Sequence, residues 1–170
     1  MYVVLMAMLA LNVSTEVLEG FAVVEESLNR TTDNSSRENV SIYRQLSEQF
    51  KSNPEKVQAW FDKATTVKRM SDSLYDFAQQ LKENIVKEAD GPDGNVFDIK
   101  HKDDLEAASH VMLAPGTGKG RQLYERVNHY REQILKMITD EHQRKTIESN
   151  LTTQLSKRAK AMGKNWQEYM

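Results

Sequence analysis

Residues 113–120 run Leu113-Ala114-Pro115-Gly116-Thr117-Gly118-Lys119-Gly120. They echo the phosphate loop Gly-x-x-x-x-Gly-Lys-Ser/Thr, whose glycine-rich backbone cradles phosphate oxygens. The echo fails at both ends. Leu113 stands where the first glycine makes the tight turn, and Gly120 replaces the hydroxyl that would hold magnesium. A phosphate loop also follows a buried parallel strand, whereas residues 103–112 read as helix and no apolar strand ending in an acid occurs elsewhere. The residues support a flexible connector between helices. The four histidines, His101, His110, His129 and His142, show neither His-x-x-x-His nor His-Glu-x-x-His spacing, so they read as solvated surface residues and not as a metal set.

Carboxylates lie scattered among lysines on polar helix faces, and no spacing brings a pair together for acid/base work. The absence of Cys excludes a disulfide framework, a thiolate zinc site and a cysteine nucleophile, while leaving the redox compartment open. Five Asn-x-Ser/Thr triplets begin at Asn12, Asn29, Asn34, Asn39 and Asn150. They mean glycosylation only in a eukaryotic secretory route, and otherwise describe Asn- and Ser-rich sequence. No catalytic residue, cofactor or metal site is expected, and the chain reads as a non-enzyme.

The elements must therefore carry the function. A chain of 170 residues holds one ordinary domain, or a domain with an appendage. Lys and Arg total 23 against 25 Asp and Glu, a net charge of -2, so no basic excess points to nucleic acid. With 3 Pro and 7 Gly among long Ala, Leu, Glu, Lys, Gln and Arg segments, the fold class is all-α. The mean hydropathy of -0.67 hides an uneven distribution. Residues 2–11 carry no charge, and the first charged side chain is Glu16. Fifteen residues of helix reach about 22 Å, short of the ~30 Å hydrocarbon core by roughly five residues. A buried core helix also fits the bare run. A cleaved signal would need a basic flank before it and a small-x-small site after it. The reading adopted is a membrane helix over residues 1–16 whose first part precedes Met1. Asn12 within it either faces other helices or marks the membrane surface.

Val13, Val17, Gly20, Val24 and Leu28 continue the first helix as an amphipathic stripe, which should end in the polar cluster at residues 29–36. A second helix with Val40, Ile42, Tyr43, Leu46 and Phe50 follows to about Lys51. Asn53-Pro54 then reads as an N-cap with proline at the first helical position. The next helix has the clearest pattern. Val57, Trp60, Ala64, Val67, Ser71, Leu74, Ala78, Leu81 and Ile85 alternate by three and four up to Gly91-Pro92, a length of ~55 Å suited to a bundle or coiled coil. A loop over 91–102 precedes a short helix at 103–113. Leu123, Val127, Tyr130, Ile134 and Met137 form one further stripe, and Ile147, Leu151, Leu155, Ala159 and Met162 another. The break at Met170, straight after Asn165-Trp166-Gln167-Glu168-Tyr169, reads as the cut edge of a longer protein.

Residues 1–14, Met-Tyr-Val-Val-Leu-Met-Ala-Met-Leu-Ala-Leu-Asn-Val-Ser, together with Glu16, Val17, Leu18 and Phe21, resemble the membrane segment of the GldM/PorM family, most closely its PorM members. Val111-Met112-Leu113, Gly118-Lys119-Gly120 and Asn165-Trp166 extend the resemblance over the whole chain. That family belongs to the gliding-motility and type IX secretion machinery of Bacteroidetes. The resemblance implies a single-pass inner-membrane helix at 1–16, then a periplasmic helical-bundle domain over 17–170, with further domains beyond.

It also implies a homodimer set in a ring of a small polytopic membrane protein, PorL/GldL, in five copies, which turns proton flow into motion. Later domains would reach outer-membrane-associated secretion components. The expected contact with the ring and the lipid bilayer is Tyr2, Leu5, Met6, Leu9 and Asn12. The expected dimer or bundle seam is Val13, Val17, Val24, Leu28, Val57, Trp60, Val67, Leu74 and Leu81. The arginine that faces the ring's glutamate in the family would precede Met1, so no motor charge carries over. The alternative function is a membrane-anchored helical-bundle ligand sensor, in which a small molecule shifts one helix against another.

Overall fold

The computed structural model describes residues 15–104 and 106–152, with side chains from Val17 onward. Among these residues every regular element is a helix: α1 (Thr15–Ser52), α2 (Pro54–Asp90), α3 (Ala107–Leu113), α4 (Gly120–Met137) and α5 (Glu141–Leu151). None of them is long and apolar enough to cross a membrane. Residues 1–14 of the expected membrane helix, with its contact residues Tyr2, Leu5, Met6, Leu9 and Asn12 and the seam residue Val13, lie outside the described residues. Two units divide the chain, Met1–Asp62 and Lys63–Met170.

In the first unit, α1 corrects the expectation of two helices. It runs 38 residues without a break, about 57 Å, straight through 29–36. The polar cluster does not stop it, because its hydroxyls turn inward to the helix's own carbonyls. Thr31 Oγ1 donates to the Ser27 carbonyl and Thr32 Oγ1 to the Leu28 carbonyl, each at 2.9 Å. Arg30 and Glu26 add an i,i+4 ion pair at 2.9 Å. Ser, Thr and Asn favour caps only where the backbone has orphan groups to offer, and here the ladder continues on both sides.

The helix ends where the sequence indicates. The Asn53 N–H donates to the Gln49 carbonyl at 2.9 Å, closing α1, and Pro54 opens α2 as its first residue. The Asn53 side chain lies 3.4 Å from the Lys56 N–H, a long capping contact. Phe50 stacks on Phe61 with centroids 4.5 Å apart, and Tyr43 approaches the same ring at 5.8 Å. Along one straight helix Phe50 and Phe61 would be separated by roughly 16 Å. The chain therefore folds back at Asn53, and Phe61 clamps the hairpin.

The second unit is built on antiparallel packing of α2 and α4. Lys63 Nζ donates to the Met137 carbonyl at 3.2 Å, Ser71 and Tyr130 share a hydroxyl hydrogen bond of 2.9 Å, and the Arg126 guanidinium lies 4.3 Å over the Phe77 ring. Advancing along α2 thus means retreating along α4. The buried apolar residues are Leu81 and Val86 on α2, Ala107 on α3, and Ile134 and Leu135 on α4. Gly91 closes α2 at φ +89°, its N–H donating to the Lys87 carbonyl at 2.9 Å, the expected glycine stop. The short helix starts at Ala107 and not at residue 103. Asp104 instead spends its carboxylate on the N–H groups of Glu106 and Ala107, at 2.8 and 3.0 Å, before the helix begins. Asp140 caps α5 by accepting from the Gln143 N–H at 2.8 Å.

Candidate functional site

The phosphate-loop echo folds as a connector between α3 and α4. The N–H groups of Thr117 and Gly118 both donate to the Ala114 carbonyl, at 3.2 and 2.7 Å, and the Lys119 N–H donates to the Val111 carbonyl at 3.0 Å. A phosphate cradle needs these donors free and convergent, and here they are already spent. Gly116 takes φ +80°, and a Cβ on Gly118 would stand 2.6 Å from the Met112 carbonyl oxygen. The glycines serve a tight return of the backbone.

His129 and His142 are exposed on α4 and α5. His101 Nδ1 meets Asp90 Oδ1 at 2.9 Å, and His110 Nδ1 meets Glu88 Oε1. Both imidazoles remain largely in water, but both lean on the carboxylates at the end of α2. Among the described residues no group of three or more His, Asp or Glu side chains is arranged to hold a metal ion.

Asp90 is the carboxylate that the sequence reading missed. Its side chain is only 2% exposed. It accepts from the N–H groups of Lys100 and His101, both at 2.8 Å, as well as from the His101 ring. The Lys100 N–H does most to hold its pKa below the usual carboxylate value, against an opposing push from burial, and the His101 contacts add to the lowering. The sequence did contain a signal. An acid in the last turn of a helix opposes the macrodipole, so Asp90 just before Gly91-Pro92 needs compensating donors from elsewhere. Asp104 is lowered in the same sense, chiefly by its hydrogen bonds from Glu106 and Ala107.

An open apolar stripe lies on α1. Val17, Phe21, Val24 and Leu28 recur by four, three and four, and are 48, 66, 54 and 62% exposed. At 100° per residue they share one face, and on an unbroken helix Ile42 and Leu46 fall on the same line. Glu19, Glu26, Arg30, Asp33 and Arg37 fall on the opposite face. The exposed stripe is therefore organised, with most charges on the far face and Glu25 and Glu38 at its edges.

The other expected seam residues divide by position. Val57, Val67 and Leu74 are half-buried and Leu81 is buried, whereas Trp60 is 67% exposed and its neighbour Phe61 makes the clamp. On the second unit, Arg69, Met70 and Leu74 of α2 and Arg126, His129 and Tyr130 of α4 border an open groove. Its walls mix charged, polar and apolar side chains, and it has the form of a surface furrow.

A family model described as the GldM N-terminal domain matches residues 16–170, nearly all of the chain and all of its described helices. No curated protein matches the chain. The match begins at the first charged residue, where the uncharged N-terminal run ends. That match makes this chain, whose described regular elements are all helices, a member of the GldM family, and through it a component of the gliding and type IX secretion machinery.

Proposed function

We propose that this chain is a non-enzymatic, homodimeric shaft of the type IX secretion and gliding motor. Residues 1–16 anchor it in the inner membrane, inside a ring of the small membrane protein PorL/GldL. The periplasmic helices pass proton-motive-force-driven motion toward outer-membrane-associated components through later domains. The observation that carries this reading is α1 itself. It is one helix of 38 residues with an open apolar stripe beginning beside the proposed membrane segment. A break at 29–36 would be a hinge that absorbs displacement, whereas a continuous helix transmits it. The stripe is also the kind of face that a second copy covers. Leu18, Gly20, Glu25 and Ser27 flank it, so two parallel copies would bring only one glutamate per chain near the seam in this stretch.

Two measurements test the reading. Native mass spectrometry of the full-length protein, gently extracted from its own membrane, should show two copies of the chain with an excess of one small membrane protein. A chain found alone, or as a dimer carrying a bound small molecule, overturns the motor reading. Residues 1–170 contain no Cys, so a single substitution introduces the one thiol of this stretch. Val24→Cys and Leu28→Cys should give disulfide dimers in membranes, and Arg30→Cys on the opposite face should not. Equal crosslinking at all three positions would place the seam elsewhere.

A further inference from the structure

The helix α1 runs unbroken, but its apolar stripe does not. Ser35, Asn39, Ile42 and Leu46 repeat the spacing of Val17, Phe21, Val24 and Leu28 about five turns later, so both sets share one line along the helix. That line is apolar from Val17 to Leu28, polar at Ser35 and Asn39, and apolar again at Ile42, which is 56% exposed. Thr31 and Thr32 bridge the interval, and with their hydroxyls donated to the Ser27 and Leu28 carbonyls they bring no unspent donor to it. Ser35 and Asn39 are exposed, and neither side chain makes a hydrogen bond among the described residues.

Both polar residues are uncharged, whereas Arg30, Asp33 and Arg37 of the same stretch lie on the opposite face. Glu38 stands at the edge of the line, next to Asn39. A face of this chemistry is complementary to a second copy of itself. An amide both donates and accepts, and so does a hydroxyl, so Asn39 and Ser35 can each pair with the same residue across a twofold axis. In a parallel pair, one edge of the line meets the opposite edge of the other helix. Glu38 then comes beside the Asn39 amide of the second copy and not beside a like charge. Sliding one copy by a heptad would set Ser35 against Leu28 or Ile42 and Asn39 against Thr32 or Leu46, which strands unspent polar groups on apolar neighbours.

We propose that Ser35 and Asn39 form a polar layer within the α1 seam, which aligns two parallel copies in register and keeps them paired past residues 29–36 as far as Ile42. The inference rests on the homodimer of the proposed function and adds to it the register and the length of the seam. A single buried polar layer costs stability but excludes slipped pairings, which lose its hydrogen bonds. For a shaft the alignment matters, since two helices free to slide past each other would dissipate an axial displacement.

The test is disulfide crosslinking of the full-length chain in its own membrane, with the unsubstituted chain run alongside. Val24→Cys and Ile42→Cys should each give a dimer linked between the same position of the two copies. Separately tagged Val24→Cys and Thr31→Cys chains, made together, report a slip of one heptad. Their mixed disulfide should form at roughly one-tenth of the same-position yield or less. Adding Ser35→Leu and Asn39→Leu should raise the mixed product to the level of the same-position product, and should make the dimer more resistant to dilution in detergent. A dimer at Val24→Cys with none at Ile42→Cys would show that the copies part at the polar residues. A mixed product indifferent to the two leucines would show that the layer does not set the register. Either result, or capture of a different protein at Ile42→Cys, overturns this proposal and leaves the dimer of the proposed function standing. No dimer at Val24→Cys overturns both.

Discussion

Replacing Thr31 and Thr32 together with Ala tests the continuity of α1, because the two readings of residues 29–36 predict opposite signs. Both side chains are exposed, and each donates its hydroxyl to a carbonyl one turn earlier at 2.9 Å. Inside a continuous helix, Thr→Ala removes a β-branched side chain of poor helix propensity, about 0.5 to 0.7 kcal/mol per site. The surrendered hydroxyl bonds are replaced by water at little net cost. The double variant should therefore stabilise the helix locally by about 1 kcal/mol. If Thr31 or Thr32 were instead capping a helix start, the same change would cost about 1 kcal/mol per cap. Hydrogen exchange of the amides at 32–37 reads this local opening. Protection should rise about fivefold, the factor that corresponds to 1 kcal/mol at room temperature. Faster exchange, or a loss of ellipticity at 222 nm, would refute the unbroken helix and with it the rod that the proposed function needs. Asn34→Pro is the complementary perturbation. It deletes the bond to the carbonyl of Arg30 and should cost about 3 kcal/mol locally. Secretion and gliding should be lost while the second unit stays folded.

Further outcomes follow from the second unit. Leu81→Ala should cost about 2 to 4 kcal/mol, since Leu81 is among the few buried apolar residues, and a urea titration that shows no shift would place it outside the core. Asp90 has a lowered pKa in the folded state, so its stabilisation is present above the ordinary value of 3.8 and fades as pH falls through the lower folded value. The Lys100 and His101 amides should exchange faster below that pH, and Asp90→Asn should remove this acid dependence. Gly118→Ala should destabilise by roughly 1 to 3 kcal/mol, because the new methyl group collides with the Met112 carbonyl in the connector. Magnesium with ATP should leave the melting temperature of the unsubstituted chain unchanged, given that the Thr117, Gly118 and Lys119 N–H groups are occupied.

Much of the fold was legible in the residues. The 3.6-residue period, Asn53-Pro54 and Gly91-Pro92 determine the bounds of α2 to the residue, and Ala114-Pro115-Gly116 stops α3. Each signal is local, since a missing N–H or a left-handed backbone acts on its own turn. The misreadings came from residues whose role depends on what surrounds them. Thr31 and Thr32 have the chemistry of caps, yet they bond to carbonyls inside a helix that continues. Asp104 draws two amides ahead of α3 and so delays its start to Ala107. Phe61 lies off the heptad line, and only the fold-back at Asn53 brings it to Phe50 and Tyr43.

The sequence by itself determined the helical character of the described residues and, through its resemblance, the family that the match over residues 16–170 bears out. Those properties rest on composition, short-range period and motif, which need no knowledge of distant neighbours. Only the tertiary structure decided that α1 runs unbroken past 29–36, that Asp90 is sealed under its own loop, and that Phe97 stands outside a hydrogen-bonded turn. The physical reason is the same in each case. Whether a hydroxyl, a carboxylate or a ring is satisfied depends on which donors, acceptors and apolar atoms the folded chain brings within a few ångströms of it. Spacing along the sequence does not contain that information once the partners lie ten or more residues away, as the Asp90 amides do.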